Sequence, residues 1–437
     1  MKRLDTRDPG FEAAFASLLI AREEQGQEVH KPVAEILASV RRDGDATLCA
    51  LTEKFDRLPL TPARLAFTAD EIAKACTQVS PELMAALDVA ATRIESFHKA
   101  QMPSNVRYTD DVGMTLGMRW IALDAVGLYV PGGKAAYPSS VLMNAIPARV
   151  AGVQRLAMCV PTPDGVINPL VLAAAHRAGV TEIYRIGGAQ AVGAMAFGTQ
   201  TIRPVDRIVG PGNAFVAEAK RQVFGHVGID SIAGPSDVVV IADSATDPRL
   251  IALDLLAQAE HDELAQATLI TPDAAFADKV TEAVTTELKT LTRTAIAGAS
   301  WERNGAVLVV KDLDEAVALA NRLAPEHLEL MVDDPEALFA KVRHAGAVFL
   351  GRFCPEAVGD YVGGPNHVLP TSRTARFASG LSVFDFMKRT TFLAGGPDAL
   401  RRIGPAGVAL AQAEGLEAHA LSISARLDAL DQTTPNA

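Results

Sequence analysis

The feature that most constrains the fold is a series of short apolar segments that each end in a glycine- or proline-containing turn and are followed by a helical stretch. The first members of this series are residues 126–130, 156–160, 182–186 and 207–209. Repeated strand–turn–helix units predict a parallel sheet with helices packed on it. In such sheets, ligands tend to bind outside the carboxyl ends of the strands.

The alternation resumes after Pro235, with apolar segments at 238–241, 268–270, 306–310, 328–332 and 347–350. We therefore predict an α/β fold with two Rossmann-like parallel-sheet domains, a small N-terminal helical arm and a helical C-terminal tail. The predicted regions are an arm (1–25), a metal- and substrate-binding domain (26–125 with 236–380), a dinucleotide-binding domain (126–235) and a tail (381–437). The tail is expected to dock on a partner subunit.

Composition narrows the class of partner. The net charge of −11 argues against nucleic acid or an anionic membrane as the main partner. The stretch most like a membrane span, 186–202, contains four glycines and is better interpreted as a buried strand, turn and helix. The first residues lack the apolar core of a signal peptide, and the four cysteines form no CxxC pair. These features predict a cytoplasmic protein.

Three glycine turns suggest a binding site for a dinucleotide. Strands run into glycine at 132–133, 187–188 and 210–212, and each turn precedes a helix. Free amides at such helix N-termini can hold phosphate or pyrophosphate. Ordinary tight turns explain any single one of them equally well, and neither a full GxGxxG nor a Walker A motif is present. Three turns in one region favour the dinucleotide.

A second set of residues suggests a metal site. Gln258 and His261 are three residues apart at the end of a predicted helix, which places both side chains on one face. Together with Asp360 and His419 they would offer a carboxamide oxygen, a carboxylate and two imidazoles. That mixed set of nitrogen and oxygen ligands suits zinc, and manganese or cobalt could also fill it.

Histidines also mark candidate sites for acid–base chemistry. Four of the nine lie in segments rich in glycine, proline and carboxylates: His261, His327, His367 and His419. Glu326 and His327 follow Pro325 at a predicted helix-to-strand turn, a position suited to an active site, although a helix cap explains the pair as well. Glu414 and His419 would diverge by about 140° on one continuous helix, so both face one site only if the chain turns at Gly415.

These segments, taken in order, resemble histidinol dehydrogenase over nearly the whole chain. The matching segments are Tyr129-Val-Pro-Gly-Gly133, Gly187-Gly-Ala-Gln190, Gly210-Pro-Gly-Asn-Ala-Phe215, Ala233-Gly-Pro-Ser236, Gln258-Ala-Glu-His261, Ala324-Pro-Glu-His327, Gly359-Asp360, Asn366-His-Val-Leu-Pro370, Gly380-Leu-Ser-Val383 and Ala413 through His419. Each segment alone is a weak signal, whereas the ordered set is specific.

The resemblance implies a role for each candidate residue. Gln258, His261, Asp360 and His419 correspond to the ligands of one zinc ion per subunit, and Glu326 and His327 to the catalytic bases. Substrate contacts are implied for Ser236, Gln258, His261, His327, Asp360, His367, Glu414 and His419, and NAD contacts for Tyr129, Gln190 and Asn213. The resemblance also implies a homodimer with shared active sites, in which the partner subunit supplies Glu414 and His419.

The implied reaction is the four-electron, NAD-dependent oxidation of L-histidinol to L-histidine through bound L-histidinaldehyde, the last steps of histidine biosynthesis. A related zinc and NAD dehydrogenase of another small polyol, such as a dihydroxy sulfonate, is the nearest alternative. A zinc hydrolase that uses Glu326 as its base fits the glycine turns poorly and lacks an HExxH motif. A binding protein without catalysis would not need Glu326 and His327 beside a metal.

Overall fold

The computed structural model describes residues 1–23, 29–132, 137–232 and 234–432. The motif residues Gly133 and Ala233 lie outside the described residues, as does the end of the predicted arm. The chain forms two compact units. The first consists of Met1–Gln101 and Leu123–Phe386, and the second of Met102–Ala122 and Met387–Ala437. No helix among the described residues is both long enough and apolar enough to cross a bilayer.

Strands and helices alternate through most of the chain. The strands are β1 (Lys2–Asp5), β2 (Val106–Thr109), β3 (Thr115–Ala122), β4 (Ala125–Tyr129), β5 (Arg155–Cys159), β6 (Glu182–Tyr184), β7 (Arg207–Val209), β8 (Gly228–Ile229), β9 (Asp237–Ala242), β10 (Gln266–Thr271), β11 (Ala306–Val309), β12 (His327–Met331), β13 (Ala347–Leu350) and β14 (Met387–Ala394). The helices are α1 (Phe11–Glu23), α2 (His30–Asp43), α3 (Asp45–Asp56), α4 (Ala69–Gln78), α5 (Pro81–Ala100), α6 (Pro138–Ala151), α7 (Pro169–Ala178), α8 (Gly188–Phe197), α9 (Ala214–Val223), α10 (Pro248–Ala259), α11 (Ala274–Glu287), α12 (Thr294–Asn304), α13 (Leu313–Leu323), α14 (Pro335–Phe339), α15 (Glu356–Tyr361), α16 (Pro397–Ala413) and α17 (Glu417–Gln432). Of these, β2, β3, β14, α16 and α17 belong to the second unit.

The first sheet is parallel and has the strand order β6-β5-β4-β7-β8. The chain starts at β4, moves outward to β5 and β6, and then returns to the other side of β4. The direction of winding therefore changes between β4 and β7, and a crevice is expected at their carboxyl ends. Tyr129 and Cys159 pack on the face that also receives Val33 of α2 and Val192 of α8.

The second sheet is also parallel, with the order β1-β11-β10-β9-β12-β13. Apart from β1, it repeats the winding of the first sheet, and its direction changes between β9 and β12. Val238 and Val240 pack against α10, α11 and α12, whereas Val239 and Ile241 pack against α1 and α13. Because β9 is buried on both faces, it is a continuous apolar run after its first residue.

The second unit combines an antiparallel sheet with two helices. The strand order is β14-β3-β2, and β14 pairs with β3 over its full length, from Met387 opposite Ala122 to Ala394 opposite Thr115. Gly117 lies under the ring of Phe392, where any side chain would clash. Helices α16 and α17 pack against each other.

The predicted α/β fold with two parallel sheets and a helical C-terminus is confirmed. Strand β1, in the predicted arm, and the antiparallel sheet were not expected. β1 has only four residues, three of them charged, and it joins the sheet through its backbone by pairing with β11. Strands β2 and β14 of the second unit are largely exposed and β3 is mostly half-buried, and none has the long apolar run of β9. The predicted domain boundaries remain predictions.

Candidate active site

The residues predicted to be catalytic lie where β9 and β12 begin. His327 is the first residue of β12 and pairs with Val238, so Glu326 stands beside Asp237. Ser236 immediately precedes β9. These side chains therefore lie at the amino ends of the two central strands, at the point where the winding changes direction. The expectation that a ligand site follows the carboxyl ends of the strands is wrong for this group of residues.

Glu326 is held by reciprocal hydrogen bonds with Asp237. The Asp237 N–H donates to Glu326 Oε2 at 3.2 Å, and the Glu326 N–H donates to Asp237 Oδ1 at 3.2 Å. The Ser236 side chain also hydrogen-bonds to Glu326. Burial raises the pKa of Glu326 well above its usual range, and the negative charges of Asp237 and Asp360 raise it further.

The hydrogen bonding of His327 defines which ring nitrogen is free. Its Nδ1 lies 3.3 Å from the carbonyl oxygen of Asp237. A carbonyl only accepts, so Nδ1 carries the hydrogen and Nε2 keeps a lone pair. Nε2 is buried without a hydrogen-bond partner among the described residues. Burial, and then the nearby His261 and His367, lower the pKa of His327 to about 3, so the ring is neutral at pH 7.

His367 connects the two sheets. Its Nδ1 donates to the carbonyl oxygen of Asp360 at 2.9 Å, and its Nε2 lies 3.5 Å from Ser140 Oγ. Ser140 is in the first turn of α6, the helix that follows β4. The Asp360 carboxylate in turn lies 3.9 Å from His327 Nε2. The amino ends of the second sheet therefore lie next to the carboxyl ends of the first.

Gln258 and His261 approach the same region from α10. This helix connects two parallel strands, so it returns the chain to their amino ends. Gln258 lies in its last turn, is fully buried, and has no hydrogen-bond partner for either carboxamide atom among the described residues. His261 lies just past the helix end, in the following turn, where its N–H donates to the Gln258 carbonyl at 3.2 Å. It remains accessible to solvent, yet its charge affects the pKa of both His327 and His367.

The electrostatics of this region suit a cation. Burial raises the pKa of Asp360 to about 7 and that of Glu356 well above its usual range. His327, Glu356 and Asp360 present ligand atoms within 4.8 Å of one another. This cluster shares only Asp360 with the predicted ligands. Gln258, which lies outside this cluster, keeps its buried carboxamide without a partner among the described residues, and the predicted ligand set remains a prediction.

A second layer of carboxyl groups, which was not predicted from the sequence, lies behind the site. Glu356 Oε1 lies 3.4 Å from His327 Nδ1. Glu329 Oε1 accepts a hydrogen bond from the Glu356 N–H at 2.6 Å, and the Glu329 side chain also hydrogen-bonds to that of Asp254. Burial raises the pKa of all three carboxyls, to about 7 for Asp254.

The spacing of these missed residues was a usable signal. Asp254 precedes Gln258 by four residues on α10, and Glu356 precedes Asp360 by four on α15. Glu329 follows His327 by two on β12. Residues four apart on a helix or two apart on a strand share a face. Asp237, which contacts both Glu326 and His327, directly follows the predicted contact Ser236.

The residues predicted to bind the dinucleotide lie around the glycine turns of the first sheet. The Tyr129 hydroxyl accepts a hydrogen bond from the Gly188 N–H at 3.1 Å, and burial raises the pKa of Tyr129 to about 12. Gln190 is buried in the first turn of α8 beside Gly188. Asn213 Oδ1 accepts from the N–H groups of residues 215 and 216 and so caps α9. The NAD contacts of these side chains remain predictions.

Glu414 and His419 belong to the second unit, and both are exposed. Helix α16 ends at Ala413, and α17 begins at Glu417. Gly415 between them has a φ of +71°, a left-handed conformation that suits glycine. The chain therefore turns where a shared site for the two side chains requires it. Their roles as substrate contact and metal ligand remain predictions.

The histidinol dehydrogenase family model matches residues 20–427. The histidinol dehydrogenase of Gluconobacter oxydans is 70% identical over 428 residues, which cover 98% of this chain and 100% of the relative. That of Ruegeria pomeroyi is 63% identical and covers 98% and 99% of the two chains. A crystal structure of histidinol dehydrogenase from Elizabethkingia anophelis superposes with a TM-score of 0.94 at 36% identity, covering 99% of both chains. The chain belongs to the histidinol dehydrogenase family.

Proposed function

We propose that this protein oxidises L-histidinol to L-histidine in two NAD-dependent steps, through L-histidinaldehyde that stays bound. These are the last steps of histidine biosynthesis, and we propose that they take place in the cytoplasm. Family membership supports the substrate and the reaction class. The observation that carries the mechanism is the neutral His327 ring, whose Nε2 is buried without a hydrogen-bond partner among the described residues. Its Nδ1 lies 3.9 Å from the buried carboxylate of Glu326.

The crevice between β4 and β7 is the proposed NAD site. NAD, when bound, takes up one hydride in each step. Its contacts would be Tyr129, Gln190 and Asn213, which surround the glycine turns at the carboxyl ends of the first sheet. The contact between His367 and Ser140 supports this arrangement, because it brings the substrate residues next to that edge. Hydride transfer requires the two ligands to be adjacent.

The proposed zinc ligands are Gln258, His261 and Asp360, together with His419 from a second copy of the chain. Zinc, one ion per subunit, would bind the imidazole and amino nitrogens of the substrate and fix its orientation without taking part in redox chemistry. The buried, unpartnered carboxamide of Gln258 and the raised pKa of Asp360 support a cation here. The exposed helices α16 and α17 would carry Glu414 and His419 into the partner's site.

His327 would accept the alcohol proton in the first step. Its Nδ1–H donates to the Asp237 carbonyl, which orients the ring and leaves the Nε2 lone pair for the substrate. Burial keeps the ring neutral, and a neutral imidazole can act as a base at pH 7. Ser236, His367 and Glu414 would hold the substrate in position.

Glu326 would activate water in the second step. It would take a proton from a water molecule that adds to the aldehyde, and the resulting hydrate is then oxidised to the carboxylate. A buried carboxylate whose pKa is raised is a stronger base than a free one. The hydrogen bond from the Asp237 N–H holds this carboxylate in position, and the bond from the Glu326 N–H to Asp237 Oδ1 holds the Glu326 backbone. Because the aldehyde stays bound between the steps, the water that hydrates it must reach it inside the site.

The number of NADH molecules formed per histidinol consumed tests this proposal. We expect two from histidinol and one from histidinaldehyde, with activity lost on chelation and restored by added zinc. One NADH per histidinol would indicate a simple alcohol dehydrogenase. No NADH from histidinol would reject the proposed substrate, and unchanged activity in a protein shown by elemental analysis to be metal-free would reject the metal role.

A further inference from the structure

We propose that a buried ion pair between Lys220 and Asp230 positions the Gly210 turn for the dinucleotide, an inference that rests on the NAD dependence proposed above. Neither residue is among the predicted contacts. Lys220 is on α9, and Asp230 directly follows β8. Both belong to the first sheet and its helices, away from the substrate residues of the second sheet. The two act through a third residue and are positioning residues rather than catalytic ones.

The burial of this ion pair calls for a reason other than stability. The side chains of Lys220 and Asp230 are only 2% and 4% exposed, and the ammonium and carboxylate are in direct contact. The cost of desolvating two buried charges offsets most of their attraction. An apolar pair of similar volume therefore often stabilises a fold at least as much as the ion pair does. A buried pair is best explained by the groups that it holds in place.

The group held in place is the backbone of Gly210. The Gly210 N–H donates to Asp230 Oδ2 at 2.8 Å, and Lys220 Nζ donates to the Gly210 carbonyl at 3.0 Å. The ion pair therefore fixes both peptide groups that meet at this residue. Rotation of either peptide would break a hydrogen bond to a buried charge, which is more costly than the loss of a neutral one.

Gly210 has an unusual conformation in a crowded place. Its φ is +113°, which side-chain-bearing residues rarely adopt, and a Cβ atom there would lie 2.1 Å from the carbonyl oxygen of Tyr129. The turn thus passes directly over the end of β4, across the point where the first sheet changes direction. A turn in a sparsely populated conformation persists only where its surroundings hold it.

This arrangement benefits a bound dinucleotide in two ways. The Gly210 carbonyl points toward a buried ammonium, so its negative end does not face the phosphates of a ligand in the crevice. The turn also leads directly to Asn213, the proposed NAD contact that caps α9. A preorganised turn avoids the loss of affinity that ordering it on binding would cause.

A second ion pair in the same sheet provides a matched control. Arg155 and Glu182 begin β5 and β6, and Arg155 also donates to the backbone carbonyls of Arg203 and Pro204. Their side chains are 13% and 21% exposed. This pair lies at the amino ends of the strands, at the opposite edge from the glycine turns. It shares the ion-pair chemistry but not the proximity to the crevice.

The test compares a double variant, which carries both Lys220→Met and Asp230→Leu, with the control variant Glu182→Gln. The double variant leaves no buried charge unpaired. NADH affinity is measured by fluorescence titration, KM for NAD and for histidinol by steady-state kinetics, and folding by circular dichroism. We expect the double variant to bind NADH about tenfold or more weakly, with the KM for histidinol changed less than twofold. Glu182→Gln should bind NADH as the wild type does.

Lys220→Gln with Asp230→Asn is the second variant, because it keeps the approximate shape and polarity of both side chains and again leaves no buried charge unpaired. It should weaken NADH binding in the same direction. A folded variant of either kind with wild-type NADH affinity overturns the positioning role, as does an equal loss in Glu182→Gln. If the wild type forms NADH from histidinol and the variants bind NADH normally, only this inference fails. If the wild type forms none, the proposed function fails with it.

Discussion

The two parallel sheets of the first unit share one winding order but present their proposed functional residues at opposite edges. In the first sheet, the glycine turns follow the carboxyl ends of β4, β6 and β7. In the second, Glu326 and His327 stand at the amino ends of β9 and β12. The contact between His367 and Ser140 brings these two edges together. Similar topology therefore does not determine which edge of a sheet carries the residues proposed to act.

The two edges also differ in whether their buried polar groups have hydrogen-bond partners. Around the glycine turns, backbone amides and carbonyls are paired, for example Gly188 with Tyr129 and Gly210 with Asp230. At the amino edge of the second sheet, Gln258 and His327 keep buried polar atoms without partners among the described residues. Buried polar atoms of this kind are costly unless a ligand satisfies them. The polar groups of the first edge are already paired, whereas the unpartnered atoms of the second edge support the ligand proposed there.

The largest expected effect is the loss of the base at the amino edge. His327→Asn should lower kcat about a thousandfold, because a positioned general base contributes on the order of 10²–10⁴. Turnover of histidinol is measured by NADH absorbance, and NADH affinity by fluorescence. NADH binding should stay at the wild-type value if the edges are independent. Retention of more than about a tenth of the activity would contradict the role of His327.

Loss of a proposed metal ligand comes next. His261→Asn should lose bound zinc and lower activity about a hundredfold or more, with little loss of fold, since the ring is exposed. Zinc is measured by elemental analysis and folding by circular dichroism. His176→Asn, at an exposed position on α7, is the matched control and should keep both zinc and activity. Full activity of His261→Asn without bound metal would contradict the ligand role.

Glu326→Gln separates the two oxidation steps. The aldehyde-to-acid step should slow about a hundredfold, since the amide cannot accept a proton from water, and the alcohol step should slow about tenfold or less. Single-turnover rates with histidinol and with histidinaldehyde give the two values. Equal losses in both steps would count against water activation by Glu326.

Gly210→Ala tests the preformed carboxyl edge of the first sheet. The added Cβ would meet the Tyr129 carbonyl, so we expect a loss of about 2–3 kcal/mol in stability and weaker NADH binding. Gly225→Ala is the matched control, because φ there is +99° but a Cβ would meet nothing within 4 Å. It should lose about 1 kcal/mol and keep its NADH affinity. Equal NADH affinities in the two variants would contradict the account.

The smallest effect is expected at the amino edge of the first sheet. Hydrogen bonds from Arg155, Arg203 and Tyr184 outweigh burial and lower the pKa of Glu182 to about 2. A lowered pKa means that the stabilisation is complete above the unfolded value of 4.5 and is lost as the pH falls toward 2. After allowance for solvent screening, Glu182→Gln should lower Tm by about 1–3 °C at pH 7. A Tm difference that does not shrink below pH 4.5 would contradict this origin.

The sequence predicted the parallel sheets well, because buried strands such as β9 are continuous apolar runs bounded by turns. It could not reveal β1, whose charged residues join the sheet through backbone pairing alone. It also could not show which edge of the second sheet carries Glu326 and His327, because that depends on how β12 pairs with β9. The carboxyl groups of Asp254, Glu329 and Glu356 behind the site could be found from the sequence only by applying the helix and strand periods to the candidate residues already identified.

The central claim is that two separate edges bind two separate ligands. The most direct test is the dissociation constant of NADH, measured by fluorescence titration on the zinc-loaded protein and again after chelation, with zinc content verified in both samples. The account predicts values within about twofold of each other, because about 0.4 kcal/mol is the largest coupling that independent sites should show. Loss of NADH binding together with the metal would show that the two ligands share one site and would contradict the account.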